Sequence, residues 1–250
     1  MTAAKAEPKA DSKREAEPAK PPPFQEFQAT VTEMDTHHRD LWEFYFKLDK
    51  PIHFVAGQYV SIFLEGIHPL PFSIASSPVH HDTLGLGIEI VGEGTTALSH
   101  LKPDDTVTMK GPFGHFVMGE EPKVCFLSGG VGVTPFICMM RWIRDTSEDR
   151  QATMLYSCKK KDQFLWFDEL EDMNRNNENL HAVFTLTKEE PDDWPYRHGR
   201  ITPEMIKEVL PDYKEHVYFC CGPEAFINGM QEVVKQLGVP DENFRREAWH

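Results

Sequence analysis

The chain of 250 residues has no apolar run long enough to cross a bilayer as a helix. No membrane insertion is therefore expected. Its first residues also lack the apolar core of a signal peptide. Cysteine is scarce, with only Cys125, Cys138, Cys158, Cys220 and Cys221. The number is odd, the spacings fit no disulfide framework, and no CxxC or zinc-type pattern occurs. A disulfide-stapled secreted scaffold is thus excluded, and reduced, mostly buried thiols in a cytoplasmic protein are expected. Positive charge is short as well: 26 Lys and Arg stand against 40 Asp and Glu, for a net charge of -14. No nucleic acid partner is expected, because such binding needs a basic face. The same balance weighs against a general preference for acidic protein partners, although a local basic patch is compatible with it.

Hydrophobic residues make up 40% of the chain, and part of that modest share reflects one segment. Residues 1–23, MTAAKAEPKADSKREAEPAKPPP, have almost nothing to bury and read as a disordered tail. The remaining length suits two modest domains.

From Phe24 to about Glu120 the hydrophobic pattern has period two. Trp42, Phe44, Phe46 and Leu48 alternate with Leu41, Glu43, Tyr45 and Lys47. Val60, Ile62 and Leu64 alternate with Tyr59, Ser61, Phe63 and Glu65. Leu84, Leu86, Ile88 and Ile90 share one face, opposite Gly85, Gly87 and Glu89. Short alternating strands separated by turn residues predict an antiparallel β-barrel over residues 24–120.

After Glu120 the pattern changes. Val124–Leu127 is a continuous apolar run, as in a strand buried on both faces. Thr134-Pro135 then reads as an N-cap and first helical residue. The alternation repeats. Strand 152–156 precedes a helix from about Gln163 to Met173, strand 182–186 precedes one opened by Thr202-Pro203, and strand 217–221 precedes one opened by Gly222-Pro223. Phe226, Met230, Val233, Val234 and Leu237 give the last helix an apolar face, and Gly238 ends it. Residues 121–250 are therefore expected to form an α/β domain with a parallel sheet. Ligands of such sheets bind at the carboxyl ends of the strands.

Three glycine stretches stand out. Ser128-Gly-Gly-Val-Gly-Val-Thr-Pro135 joins a buried strand to a helix, where bare backbone can approach an anion at a helix start. It has no Gly-Lys-Ser/Thr continuation, which excludes a Walker loop. A tight strand-to-helix turn is the alternative reading. Cys221-Gly222-Pro223 repeats the arrangement at another strand end, and the Cys220-Cys221 pair is expected to pack on alternate faces of its strand. Gly92-Glu-Gly-Thr-Thr-Ala-Leu-Ser-His-Leu101 reads as a turn into a short helix and a second candidate phosphate site.

The order PFSIAS, GEGTTALSHL, GPFG, GGVGVTP, CGP and a terminal Glu-x-aromatic resembles the ferredoxin–NADP reductase superfamily, from about Phe24 to His250. The resemblance implies a Greek-key flavin barrel followed by a nicotinamide-nucleotide domain. It implies FAD as cofactor, with FMN less favoured because the Gly94, Thr95 and Thr96 pyrophosphate site is retained. It places Phe72 against the flavin ring beside Pro71 and puts Ser73 near flavin N5. Ile88 and Ile90, leading into the Gly92 stretch, are counted with the same site. Gly129, Gly130, Gly132, Thr134 and Pro135 fall to the nicotinamide nucleotide, with Gly222, Pro223 and Cys221 beside its ring. Glu247 and Trp249 match a terminal acid and an aromatic that covers the flavin, although Trp249 also reads as the end of a sheet strand. Ser73, Cys221 and Glu247 are then the candidate catalytic set. The family's flavin-phosphate arginine is replaced by Leu70, a loss of about 1.5–3 kcal/mol of charge-assisted contact.

The implied reaction is hydride transfer from a nicotinamide, NAD(P)H, to the flavin. Cations after the second and third parallel strands, Lys159–Lys161 and Lys188, suit a 2′-phosphate and favour NADPH, with Lys159 the nearest candidate. They fit a solvated loop as well. The cysteines form no iron–sulfur pattern, so electrons must pass to a separate acceptor. Three outcomes are compatible with this. The chain serves an acceptor protein such as a ferredoxin or oxygenase component, it reduces free flavin or ferric iron as a small-molecule acceptor, or it is a nucleotide-binding subunit of a larger redox complex.

Overall fold

The computed structural model describes residues 24–38 and 40–247. The expected tail and Trp249 lie outside the described residues. The first half carries six antiparallel strands: β1 (Gln25–His38), β2 (Leu41–Leu48), β3 (Tyr59–Phe63), β4 (Leu70–Ser73), β5 (Thr83–Glu89) and β6 (Thr106–Phe113). Their order is β4-β3-β6-β1-β2-β5. An Ile74–Leu86 bridge and the hydrogen bond from Ala75 N–H to Gly85 O (2.8 Å) bring the two edges together, so the sheet is a nearly closed barrel. The alternating apolar residues Phe44, Phe46, Val60, Ile62, Leu84, Leu86 and Ile88 fill its core, as their period predicts. A short helix α1 (Glu93–Leu98) follows β5.

The second half has six strands in one sheet: β7 (Lys123–Gly129), β8 (Gln151–Cys158), β9 (Leu180–Leu186), β10 (Arg197–His198), β11 (Val217–Cys221) and β12 (Phe244–Glu247), in the order β10-β9-β8-β7-β11-β12 and parallel throughout. Helices α2 (Thr134–Thr146), α3 (Phe167–Asn176), α4 (Pro203–Val209) and α5 (Glu224–Gln236) cover it. Strand order reverses between β7 and β11, which is where open α/β sheets take their ligands. Cys220 packs on the α4–α5 side and Cys221 on the other, as expected of neighbours on one strand. All five cysteines are free and buried.

Two local expectations need correction. Thr134 does not cap α2 from outside: a 3-10 turn over Gly130–Val133 intervenes, Thr134 is the first α-helical residue, and its hydroxyl donates to Val131 O (2.7 Å). The expected helix over 163–173 begins only at Phe167. Trp166 is held in the left-handed region at φ 52°, and Phe164 and Leu165 are drawn into the core ahead of it. By contrast, Thr202 caps α4 as its sequence predicts, accepting from Met205 N–H (3.2 Å).

The Gly85–Gly87 side of β5 is not a solvent face. A Cβ at Gly87 would stand 2.8 Å from Thr134 Oγ1 and 2.8 Å from the Trp166 ring. The barrel therefore docks on the α/β layer through bare backbone. Phe116, just after β6, completes the seam by packing edge-on to Phe219 (ring centroids 5.5 Å) and against Phe136 (5.9 Å).

Candidate functional site

The first side chain of the site comes from β4. The Leu70–Ser73 strand pairs with β3 so that Ser73 lies opposite Tyr59 and Phe72 opposite Val60. Successive residues face opposite ways along a strand. Pro71 is exposed, Phe72 is half-buried, and Ser73 is buried. The Ser73 hydroxyl makes no hydrogen bond of ordinary geometry among the described residues, although it lies close enough to Glu247 to favour that carboxylate. A buried hydroxyl without a partner is costly, and a ligand that accepts its hydrogen bond relieves the cost.

The second contribution is a row across the parallel sheet. Ser128 at the end of β7, Cys221 at the end of β11 and Glu247 at the end of β12 are register partners, so their side chains share a face. Burial pushes Glu247 up to about 7, and the Ser73 hydroxyl from the barrel offsets that only in part. The acid thus sits beside Ser73, with Oε2 buried and unpartnered among the described residues. The Arg245–Glu121 ion pair fixes β12, and the Arg245 guanidinium lies 5.1 Å from the centre of the Phe219 ring. Ser128 was not singled out by the motifs, although it opens the glycine stretch. Its hydroxyl is fully buried and likewise lacks a partner among the described residues. Three buried polar groups without a hydrogen bond of ordinary geometry among the described residues (the Ser73 and Ser128 hydroxyls and Glu247 Oε2) thus lie at or near the junction of barrel and sheet.

The glycine loops are shaped by contact with each other. A Cβ on Gly132 would lie 2.4 Å from Cys221 O and 2.6 Å from Gly222 N. Only glycine lets the β7 and β11 loops touch backbone to backbone. Gly129 and Gly222 both pack under the Phe226 ring. Gly130 differs from these: it holds φ 56° and has open space where its side chain would be. Pro135 is buried in the first turn of α2, and Pro223 is exposed at the start of α5. Together these residues leave a bare backbone cradle at the point where strand order reverses.

The remaining predicted residues are more scattered. Ile88 lies inside the barrel core, 1% exposed, and Ile90 is half-buried beyond the end of β5. Thr95 turns its hydroxyl onto its own backbone, accepting from Val91 N–H (2.9 Å) and Gly92 N–H (3.1 Å), so it caps α1. Thr96 is exposed beside it. Leu70 covers Gly94: a leucine methyl lies 2.6 Å from the position of a Gly94 Cβ, with Ile67 alongside. Lys159 is exposed after β8. Its neighbour Lys161 pairs with Asp193 (2.8 Å) and donates its backbone N–H to Glu189 (2.7 Å).

A barrel that brings Ser73 beside a buried acid at the switch point of a parallel sheet, next to a bare glycine loop, is an arrangement suited to holding a flavin against a nicotinamide. The description "Oxidoreductase FAD-binding domain" matches residues 28–118, and "Oxidoreductase NAD-binding domain" matches residues 126–232. The chain belongs to the ferredoxin–NADP reductase superfamily of FAD- and NAD(P)H-binding oxidoreductases.

Among its relatives, the glycine betaine monooxygenase reductase subunit of Chromohalobacter salexigens is 28% identical over 222 residues, covering 84% of this chain and 60% of that protein. The chain thus spans about three fifths of that relative's length. NADH-cytochrome b5 reductase 1 of Candida glabrata is 26% identical over 231 residues, covering 87% and 80%. The cytochrome P450 reductase of Amycolatopsis shares the fold with a TM-score of 0.80 at 22% identity, over 90% of this chain and 70% of that one. The ferredoxin NADP+ reductase of Neisseria gonorrhoeae shares it at 0.75 and 16% identity, over 90% and 98%. No described helix is long and apolar enough to cross a membrane.

The residues present fit the ring end of a flavin. Ser73 offers a buried hydroxyl with no hydrogen bond of ordinary geometry among the described residues, and Phe72 a half-buried aromatic face. They fit its phosphate end less well, because Leu70 brings carbon rather than charge to Gly94.

Proposed function

We propose that the chain takes reducing equivalents from a reduced nicotinamide and delivers them, through FAD, to a separate electron-acceptor protein. The observation that carries this reading is the meeting of Ser73 from the barrel with Glu247 from the row Ser128–Cys221–Glu247 of the sheet. A bound flavin supplies hydride acceptance and onward electron release. Ser73 donates a hydrogen bond to an acceptor atom on the ring, and Phe72 packs on the ring's face. Glu247, about half protonated near pH 7, can hold a proton beside Ser73. Cys221 puts a small side chain where the second ring must approach. Gly130, whose side-chain position is open, lets the nicotinamide's phosphates approach the loop, while Gly129 and Gly132 hold that loop against Phe226 and the Cys221–Gly222 backbone. Lys159 supports NADPH over NADH as donor.

The acceptor in this reading is an oxygenase or ferredoxin component. Two relatives are named as reductase subunits of a glycine betaine monooxygenase and a stachydrine N-demethylase. The buried, free cysteines support a cytoplasmic location.

Leu70 over Gly94 favours a second reading, reduction of free flavin or ferric iron with the flavin loosely held. One experiment separates the two. The purified chain is examined by visible spectroscopy, then mixed with NADH or NADPH. A yellow protein bleached by nicotinamide supports the first reading, and a colourless one active only with added flavin supports the second. Absence of both flavin binding and nicotinamide oxidation overturns both.

A further inference from the structure

The segment that follows Ser73 is grasped by the other half of the molecule. Arg141 Nη1 donates to Ala75 O (2.9 Å), and Cys138 Sγ donates to Ser76 O (3.0 Å). Both donors lie on α2, spaced so that Thr134, Cys138 and Arg141 share one helix face. That helix opens directly after the glycine loop, and Ala75 lies two residues beyond Ser73. The contact therefore joins the strand that carries Ser73 to the helix that starts at the cradle.

Arg141 cannot swing freely in this contact. Its Nε and Nη2 donate to the two carboxylate oxygens of Glu169 on α3 (3.0 and 2.5 Å), and its guanidinium lies 5.3 Å from the Trp166 ring centre. A bidentate pair fixes the guanidinium plane, which leaves Nη1 aimed at Ala75 O. Trp166 is itself tied to the barrel: its indole N–H donates to Tyr45 Oη (3.2 Å), and Tyr45 donates to Glu43 (2.5 Å). Arg141 is buried, and all of these partners are named side chains or backbone of the seam.

A buried ion pair adds little stability compared with well-packed apolar side chains, because desolvation offsets its Coulomb gain. It does impose direction. We infer that Arg141 is a positioning residue: it sets the register between the Ser73 strand and the glycine-loop helix, and hence the approach of the two ligand sites, while touching neither ligand. This rests on the functional reading above for its kinetic consequence, but not for its geometric one.

The test uses Arg141→Met, Arg141→Lys and Glu169→Gln in the full chain. Because all five native cysteines are buried, nitroxide labels can be directed to Glu33→Cys on the barrel and Glu232→Cys on α5, both exposed positions. The expected result for Arg141→Met is unchanged FAD and nicotinamide dissociation constants, within about twofold, and a label-to-label distance distribution that broadens or shifts. Single-turnover flavin reduction at saturating nicotinamide should slow by about 10- to 100-fold, since misplacement of about 1 Å has that effect. Arg141→Lys should recover part of the rate and part of the narrow distribution.

Unchanged distances with a rate within twofold of wild type overturn the inference. Loss of FAD binding by a folded Arg141→Met protein also overturns it, by making Arg141 part of the binding site. Should Arg141→Met fail to fold, Glu169→Gln, which keeps the arginine but frees its plane, must show the same broadening and slowing or the inference fails. If the wild type binds FAD yet is never reduced by nicotinamide, the functional reading falls, and the label distances alone decide whether Arg141 sets the register.

Discussion

Leu70 closes on Gly94, a leucine methyl standing 2.6 Å from the place a Gly94 side chain would begin. The sequence resemblance implies an arginine at this strand position, paired with the flavin phosphate. An apolar group there removes a charge-assisted contact of about 1.5–3 kcal/mol, which corresponds to roughly 10- to 100-fold in affinity. Leu70→Arg is therefore expected to tighten FAD and FMN by at least about tenfold and to leave riboflavin, which lacks phosphate, unchanged. Fluorescence titration of flavin-free protein with the three flavins checks this. Equal gains for all three would show that the arginine acts by packing rather than by charge.

Glu247 should make stability depend on pH in a direction opposite to most carboxylates. Burial raises its folded pKa to about 7 from an ordinary value of 4.5. The folded state therefore prefers the neutral acid, and the unfolded state ionises first as pH rises. Below about pH 4.5 the group contributes no penalty; between 4.5 and 7 the penalty grows, and above 7 it is constant. The whole span is at most about 3 kcal/mol. Urea unfolding of wild type and Glu247→Gln at pH 4.5 and 7.5 should show the variant gaining relative stability at the higher pH. A difference that does not change with pH would mean that Glu247 titrates normally.

Much of the fold was legible because its two halves use different periods. Residues such as Phe44, Phe46, Leu84 and Leu86 alternate in step with a strand, and Val124–Leu127 do not alternate because both faces of that strand are covered. Ser73, Cys221 and Glu247 were legible as candidates because the motifs that carry them stand in family order. The docking face was not. Glu43, Tyr45, Gly85 and Gly87 have the polar or small character of a solvent face, and period two assigns them outward. They do point outward from the barrel, but onto Trp166 and Thr134 rather than into water. Nothing local marks a long-range contact of this kind. Arg141 was hidden for the same reason: an arginine set among apolar helix residues acquires its meaning from Ala75 and Glu169, distant in sequence.

The glycine loop should tolerate substitution very unequally. At Gly132 a methyl group meets only backbone, Cys221 O and Gly222 N, so no side chain can move aside. Gly132→Ala should destabilise the protein by about 1–3 kcal/mol or more. Gly130→Ala meets no neighbour and pays only the left-handed backbone strain, about 1–2 kcal/mol. Its methyl enters the open space in front of the loop, so nicotinamide affinity should fall although the fold survives. Thermal unfolding paired with nicotinamide titration separates the two effects. A Gly130→Ala protein that binds nicotinamide as wild type does would remove that loop from the binding site.

Gly87→Ala tests the docking seam directly. The added methyl would press on Thr134 Oγ1 and the Trp166 ring at 2.8 Å each, and on Leu165 at 3.2 Å. Thr134 is buried at the head of α2, and Trp166 is tethered to Tyr45, so neither can give way freely. Burial and the hydrogen bond to Glu43 hold the Tyr45 phenol at a pKa of about 12, so it remains a donor throughout the ordinary pH range. The expected result is a stability loss of about 1–3 kcal/mol from overpacking. It should come with faster amide exchange at the seam, in α2 and β5, while the barrel core around Ile62 and Val60 keeps its protection. Hydrogen exchange followed by mass spectrometry resolves these segments. Exchange that quickens evenly over the whole chain would mean that the seam and the two cores unfold as one unit, and that the glycine face of β5 does not set the docking of the two halves separately from the fold itself.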